Sequence, residues 1–205
     1  MLKALCQSLC LSLPLAANAQ AASVVFLNPG YSNETFWVSY SRFMQAAAKD
    51  LDMQLRIEYS ERDAQLTLAH AREVLESEQR PDYLVLVNEE YVAPEIIRLS
   101  RGRGVKLFLV NNGLTPDQSE LISKNPDKYP PLLGTLVNND EQAGYQMLKE
   151  LIALRARPGL TQPIELLAFS GIKTTPASKL REQGMRRALA EHPQVRLRQV
   201  VYGGW

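Results

Sequence analysis

From Ser23 onward the apolar positions along the chain switch between two periods. "SVVFLN" from Ser23, "QLRIEYS" from Gln54, "DYLVLVN" from Asp82 and "VKLFLVNN" from Val105 are short apolar or alternating runs. They are rich in β-branched and aromatic residues and end in turn chemistry, which predicts strands. Between them the apolar spacing becomes helical. Trp37, Tyr40, Met44, Ala47, Ala48 and Leu51 recur three and four residues apart, one face of a first helix. Leu66, Ala69, Val74 and Leu75 mark a second, with Asp63 at its acidic start. A third, short helix around Pro94 to Arg101 stops at Gly102 and Gly104.

The stretch 113–131, "GLTPDQSELISKNPDKYPP", has four prolines and no strong periodicity, and it reads as a surface excursion. "LLGTLVNND" then predicts another strand, and a long helix follows from Glu141 to about Arg155. Its predicted apolar side is Ala143, Met147, Leu148, Leu151 and Leu154. "RPGLTQP" breaks that helix. A new unit starts with strand "IELLAFSG", a helix from Pro176 to about Glu191 and strand "VRLRQVVY".

Strands alternating with helices imply βαβ units, so the expected fold class is α/β, a doubly wound parallel sheet. Near-continuous apolar runs such as "YLVLV" and "LFLV" suit strands buried on both faces. After Pro163 only two strands and one helix remain, too little to supply a core alone. The expectation is a complete first lobe with only the start of a second.

Composition adds limits. The 205 residues are 45% apolar and 22% charged, ordinary for a globular protein, and 23 basic against 22 acidic residues leave a formal charge of +1. No basic stripe marks a nucleic-acid partner or a membrane surface. The first residues, "MLKALCQSLCLSLPLAANAQAA", join one lysine to a short apolar stretch and an Ala-x-Ala site, which predicts a secretory signal ending at Ala19. Both cysteines, Cys6 and Cys10, fall inside it, so the mature chain is expected to have no disulfide and no thiolate metal site. Each follows Leu, which argues against a lipid-attachment cysteine. A neutral, cysteine-free exported domain points to a bacterial periplasm.

In an open parallel sheet, ligands bind beyond the carboxyl ends of the strands. There the sequence places "NPGYSNETFW", "NEEY", "NNG" and "SGIKTTP", rich in Asn, Glu, Ser, Thr and aromatic residues. Amides donate and accept, carboxylates accept from hydroxyls, and rings stack on the C–H face of a sugar. Caps and Asx turns are the alternative role for any one of these residues. Catalytic templates are thin: there is no G-x-S-x-G and no H-E-x-x-H, and His70 and His192 lie in separate helical stretches. Glu89 and Glu90 are a carboxylate pair at a strand end, and an exported hydrolase using either is the enzyme alternative. "RGRGVK" precedes a strand, where a nucleotide fingerprint follows one.

The exported start, "VVFLNPGYSNETFWVSYSRFMQAAAKDL", "YLVLVNEE", "KLFLVNN", "NNDEQAGYQMLKELI" and "FSGIKTTPASKLREQGMRRALAEHP" together resemble the periplasmic substrate-binding proteins of ABC importers, type I (ribose-binding) class, including the autoinducer-2 receptor branch. The resemblance spans Ser23 to Trp205. It implies two α/β lobes that close on a sugar or sugar-like molecule, no catalysis and no cofactor or metal. It puts the ring-stacking pair on Phe36 and Trp37, the polar residues before them on Asn33 and Glu34, and the cleft rim on Asn88, Glu89 and Glu90. The residues ending the fourth strand, often Asp-Arg in sugar binders, fall on Asn111 and Asn112. Asp140 and Arg181 complete the implied ligand set. The implied organisation is a signal peptide over 1–19, an N-terminal lobe over 20–135, a hinge crossing and first helix over 136–162, and the beginning of an incomplete C-terminal lobe over 163–205. Family members continue with more of the second lobe, so a truncated chain or fragment is expected. The implied receptor is a monomer whose partner is an ABC permease or, alternatively, a membrane sensor kinase or cyclase that reads its closure.

Overall fold

A computed structural model describes residues 21–155 and 163–204. The expected signal peptide, both cysteines and most of the "RPGLTQP" break lie outside the described residues.

Five strands form one parallel sheet in the order β2-β1-β3-β4-β5: β1 Ser23–Asn28, β2 Gln54–Tyr59, β3 Tyr83–Leu86, β4 Lys106–Asn111 and β5 Gly134–Val137. The order reverses at β1, whose two neighbours leave in opposite directions. Helices α1 (Thr35–Asp50), α2 (Ala64–Glu76), α3 (Ala93–Leu99) and α4 (Pro116–Ser123) connect the strands. The doubly wound α/β architecture expected from the alternation of periods is the one observed.

Because successive strand residues face opposite sides, each strand feeds two cores. Val25, Leu27, Leu84, Leu86, Leu107 and Leu109 pack with α2 and α3 residues such as Val74, Ile96 and Ile97. Phe26, Val87 and Val110 pack on the other face with Trp37, Tyr40 and Met44 of α1. The second unit is smaller. Helix α5 (Asp140–Arg155) leads to β6 (Ile164–Ser170), α6 (Pro176–Ala190) and β7 (Val195–Tyr202), and β6 pairs β7 in parallel.

Local chemistry fixes the helix starts. Asp63 caps α2, accepting from the backbone N–H of Gln65 (2.7 Å) and Leu66 (3.2 Å). The expected excursion over 113–131 contains a helix, α4. Its start carries Thr115, Pro116 at N1 and Gln118, whose Oε1 accepts from the Thr115 N–H at 3.0 Å. That signal stood in "TPDQ" and outweighed the weak apolar period.

The buried side of α5 also differs from the expected one. Asp140, Gly144, Leu148 and Ile152 are buried, whereas Met147, Leu151 and Leu154 are exposed. The cause is close backbone packing against α6. A Cβ on Gly144 would lie 2.0 Å from the carbonyl oxygen of Arg181, and one on Gly184 would lie 1.8 Å from that of Glu141. Two helices can approach this closely only where both lack side chains at the crossing. In α2, likewise, Ala69 is exposed and the buried residues are Thr67, Ala71, Val74 and Leu75.

Candidate functional site: a cleft at the strand ends

The carboxyl ends of β1, β2 and β4 and the turn after β3 meet the start of α6 across a cleft of about 260 Å³. From the first unit Glu34, Phe36, Trp37, Arg62, Glu89, Asn111 and Asn112 line it, and from the second Thr175, Ala177 and Arg181.

Asn28, the last residue of β1 and fully buried, builds the aromatic wall. Its Nδ2 donates to the Trp37 carbonyl (3.2 Å) and Ser41 Oγ (2.9 Å), and its Oδ1 accepts from the Gly30 N–H (2.9 Å). The loop is thereby folded onto α1. Gly30 is required there, since a Cβ would lie 1.9 Å from Trp37 Cδ1. Trp37 is 2% exposed and belongs to the core beside Phe26 and Val87; Phe36 is 55% exposed. Phe36 meets the indole edge-on, with ring centroids 4.9 Å apart at 83°. One ring anchors and the other presents a face.

A charged relay crosses the floor. Glu61 and Arg62 follow β2 with φ of 48° and 62°, and their N–H groups donate to the carbonyls of Gly30 (3.1 Å) and Pro29 (2.9 Å). This left-handed pair turns the Arg62 side chain over the sheet end. Its guanidinium is paired with Glu34, Nε donating to Oε2 at 3.0 Å, and sits 3.5 Å from Glu89 Oε1. Asn112 Nδ2 donates to the other Glu89 oxygen at 2.8 Å. Burial pushes the Glu89 carboxyl above the ordinary glutamate range. The Arg62 charge opposes that shift, Glu90 and Glu34 reinforce it, and the Asn112 hydrogen bond counters it.

Three buried polar atoms on lining residues have no hydrogen-bond partner: Trp37 Nε1, Glu89 Oε1 and Asn112 Oδ1. Such atoms are costly to leave unpaired. On the opposite wall, Arg181 is held by buried Asp140, with Nε and Nη2 at 2.8 and 2.7 Å from Oδ1. Thr175 Oγ1 is within 2.9 Å of Ser178 Oγ at the start of α6. Both lining arginines therefore already have carboxylate partners.

With this geometry in view, the family is decided by residues 21–203, which match the description "periplasmic binding proteins and sugar binding domain of LacI family". The chain belongs to this family. A periplasmic sugar-binding protein from Pseudomonas fluorescens is 60% identical, with a TM-score of 0.78 over 89% of this chain and 52% of its own. The periplasmic binding component of the arabinose ABC transporter from Shewanella sp. ANA-3, bound to L-arabinofuranose, is 15% identical, with a TM-score of 0.74 over 89% and 55%. The Caulobacter myo-inositol binding protein is 10% identical, with a TM-score of 0.72 over 93% and 58%. The last two share the fold, that of the type I periplasmic binding proteins. The chain spans about half the length of the solved structures it matches. Among curated proteins, none matches this sequence.

Of the sequence-derived candidates in this family member, Glu34, Phe36, Trp37, Glu89, Asn111, Asn112 and Arg181 are brought together around the cleft. Four are not among its lining residues. Asn33 and Glu90 are exposed. Asn88 is fully buried and holds the loop after β4, donating to the Gly113 carbonyl (2.8 Å) and Gln118 Oε1 (2.7 Å). Asp140 is buried and reaches the cleft only through Arg181. Arg62, Thr175 and Ala177 line it without having been singled out. "YSERD" at the carboxyl end of β2 was the available signal for Arg62, by the same strand-end rule that selected the others.

Proposed function

We propose that this protein is a periplasmic solute-binding protein that captures an uncharged sugar or sugar-like molecule between its two units and delivers it to an ABC importer. The observation that carries this reading is the character of the cleft. An exposed aromatic ring stands beside buried, unpartnered donor and acceptor atoms, and every lining arginine is already neutralised by a carboxylate.

A sugar's C–H face suits Phe36, and its hydroxyls can pair with Trp37 Nε1, Glu89 Oε1 and Asn112 Oδ1, since a hydroxyl both donates and accepts. A phosphate or carboxylate would have to compete with Glu34, Glu89 and Asp140 for the arginines, which disfavours an anion. The sugar-binding character of the Pseudomonas fluorescens relative supports the same reading, and family membership supports a periplasmic site of action. Binding would draw the units together by as much as the solute prefers the closed arrangement.

A thermal-shift screen tests the charge assignment. Neutral pentoses, hexoses and inositols should include compounds that raise the melting temperature, while ribose 5-phosphate and glucuronate should not. Stabilisation by the anions alone would overturn the reading.

A further inference from the structure

The turn after β3 holds two consecutive non-glycine residues in the left-handed region, Glu90 (φ 48°, ψ 29°) and Tyr91 (φ 61°). A residue with a Cβ resists this conformation, and such a pair persists only where its surroundings dictate it. Here they do. Asn88 Oδ1 accepts from the Ala93 N–H at 3.1 Å, and its Nδ2 donates to Gln118 Oε1; Gln118 Nε2 in turn donates to the Tyr91 carbonyl at 3.3 Å. The buried Asn88–Gln118 pair thus braces the strained turn from beneath.

What the strained turn presents is the Tyr91 ring. Lys179 Nζ, on α6 of the second unit, donates to Tyr91 Oη at 2.6 Å and stands 5.2 Å from the ring centroid. Asp117, in the first turn of α4, is held below the ordinary aspartate range, first by the Thr115 side chain, with the Lys179 charge among the smaller causes. The ammonium therefore meets a phenol oxygen of the other unit, and its charge also acts on that unit's Asp117. Among the described residues, this is the one side-chain hydrogen bond that joins the two units, and neither Tyr91 nor Lys179 lines the cleft.

We propose that Tyr91 and Lys179 form a clasp across the mouth of the cleft, a positioning pair that raises the closed population and lengthens the stay of a bound solute without touching it. A bare exposed lysine contact would contribute little. This one is aimed by a braced, left-handed turn and is a short hydrogen bond with a charged donor. Weakening it lowers the closed fraction, and apparent affinity falls with that fraction.

The clasp is testable with no sugar present, so its failure is distinct from failure of the proposed function. Nitroxide labels on Ser119→Cys in α4 and Gln183→Cys in α6, in the full chain with Cys6 and Cys10 replaced by Ser, report the separation of the units by pulsed dipolar spectroscopy. Lys179 is exposed, so its variants should keep the wild-type circular dichroism. Lys179→Met should shift the closed-to-open ratio about three- to tenfold toward longer separations. Tyr91→Phe, which removes the accepting oxygen, should shift it comparably, and Lys179→Arg, which keeps a charged donor, should retain the short population. An unchanged distribution in Lys179→Met would overturn the proposal. So would a wild type that shows only long separations, or a Lys179→Arg that behaves as Lys179→Met.

Discussion

Phe36 and Trp37 are neighbours in sequence with opposite surroundings. A helix turns about 100° per residue, so adjacent rings cannot share one face. Trp37 lies in the core with Phe26, Val87 and Val110, and Phe36 stands over it toward the cleft. Trp37→Ala is therefore expected to cost about 3–5 kcal/mol of stability, and Phe36→Ala within about 0.5 kcal/mol, both read from urea unfolding. Glu89 separates from other carboxylates by its pH response. Its folded value is raised above the ordinary 4.5, so its contribution to stability is complete below that value and is lost as pH rises through the raised one. Glu89→Gln abolishes this titration. The wild type should accordingly lose urea-midpoint stability relative to Glu89→Gln as pH climbs above 4.5. At this scale much of the site was legible, since polar and aromatic residues at strand ends are visible in the sequence. The orientation of each was not. Asn88 and Asp140 turn inward as braces, and Arg62 turns into the cleft through a left-handed backbone that no side-chain pattern announces.

Strands and most helices follow from periodicity, because a strand buried on both faces or a helix with one apolar stripe has few other ways to remove that surface from water. Where packing is carried by something other than apolar volume, periodicity misleads. On α5 Met147, Leu151 and Leu154 lie outward, and the buried line runs through Gly144, Leu148 and Ile152 because that is where α6 crosses. On α4 the cap was the stronger signal, and apolar spacing was nearly silent. The α5–α6 crossing gives a direct test. Gly184→Ala would set a Cβ against the Glu141 carbonyl and force the helices apart, an expected loss of about 1–3 kcal/mol from the second unit. Hydrogen exchange should register it in α5, α6 and β6 and leave β1 to β4 unchanged.

The molecule as described leaves several apolar faces bare. Phe43, Leu51 and Leu133 rim a groove of about 280 Å³ floored by Met44, Leu55, Val85 and Phe108, and Leu167 and Phe169 stand exposed on β6. Contiguous apolar surface of this kind promotes association. The 205-residue chain is expected to bind an apolar reporter dye in its native state, and Phe169→Lys should reduce that signal. The doubly wound architecture was legible at this scale because it follows from the order of elements. The cleft was legible only in part, because its opposite wall depends on how two units face each other. Under the proposed function, an uncharged sugar lies in this cleft against the face of Phe36. Titration calorimetry of neutral sugars into wild type and into Phe36→Ala is the direct test. One-to-one binding to wild type that weakens about tenfold or more in Phe36→Ala is the expected result; equal affinity for the two proteins would rule out Phe36 as the stacking face.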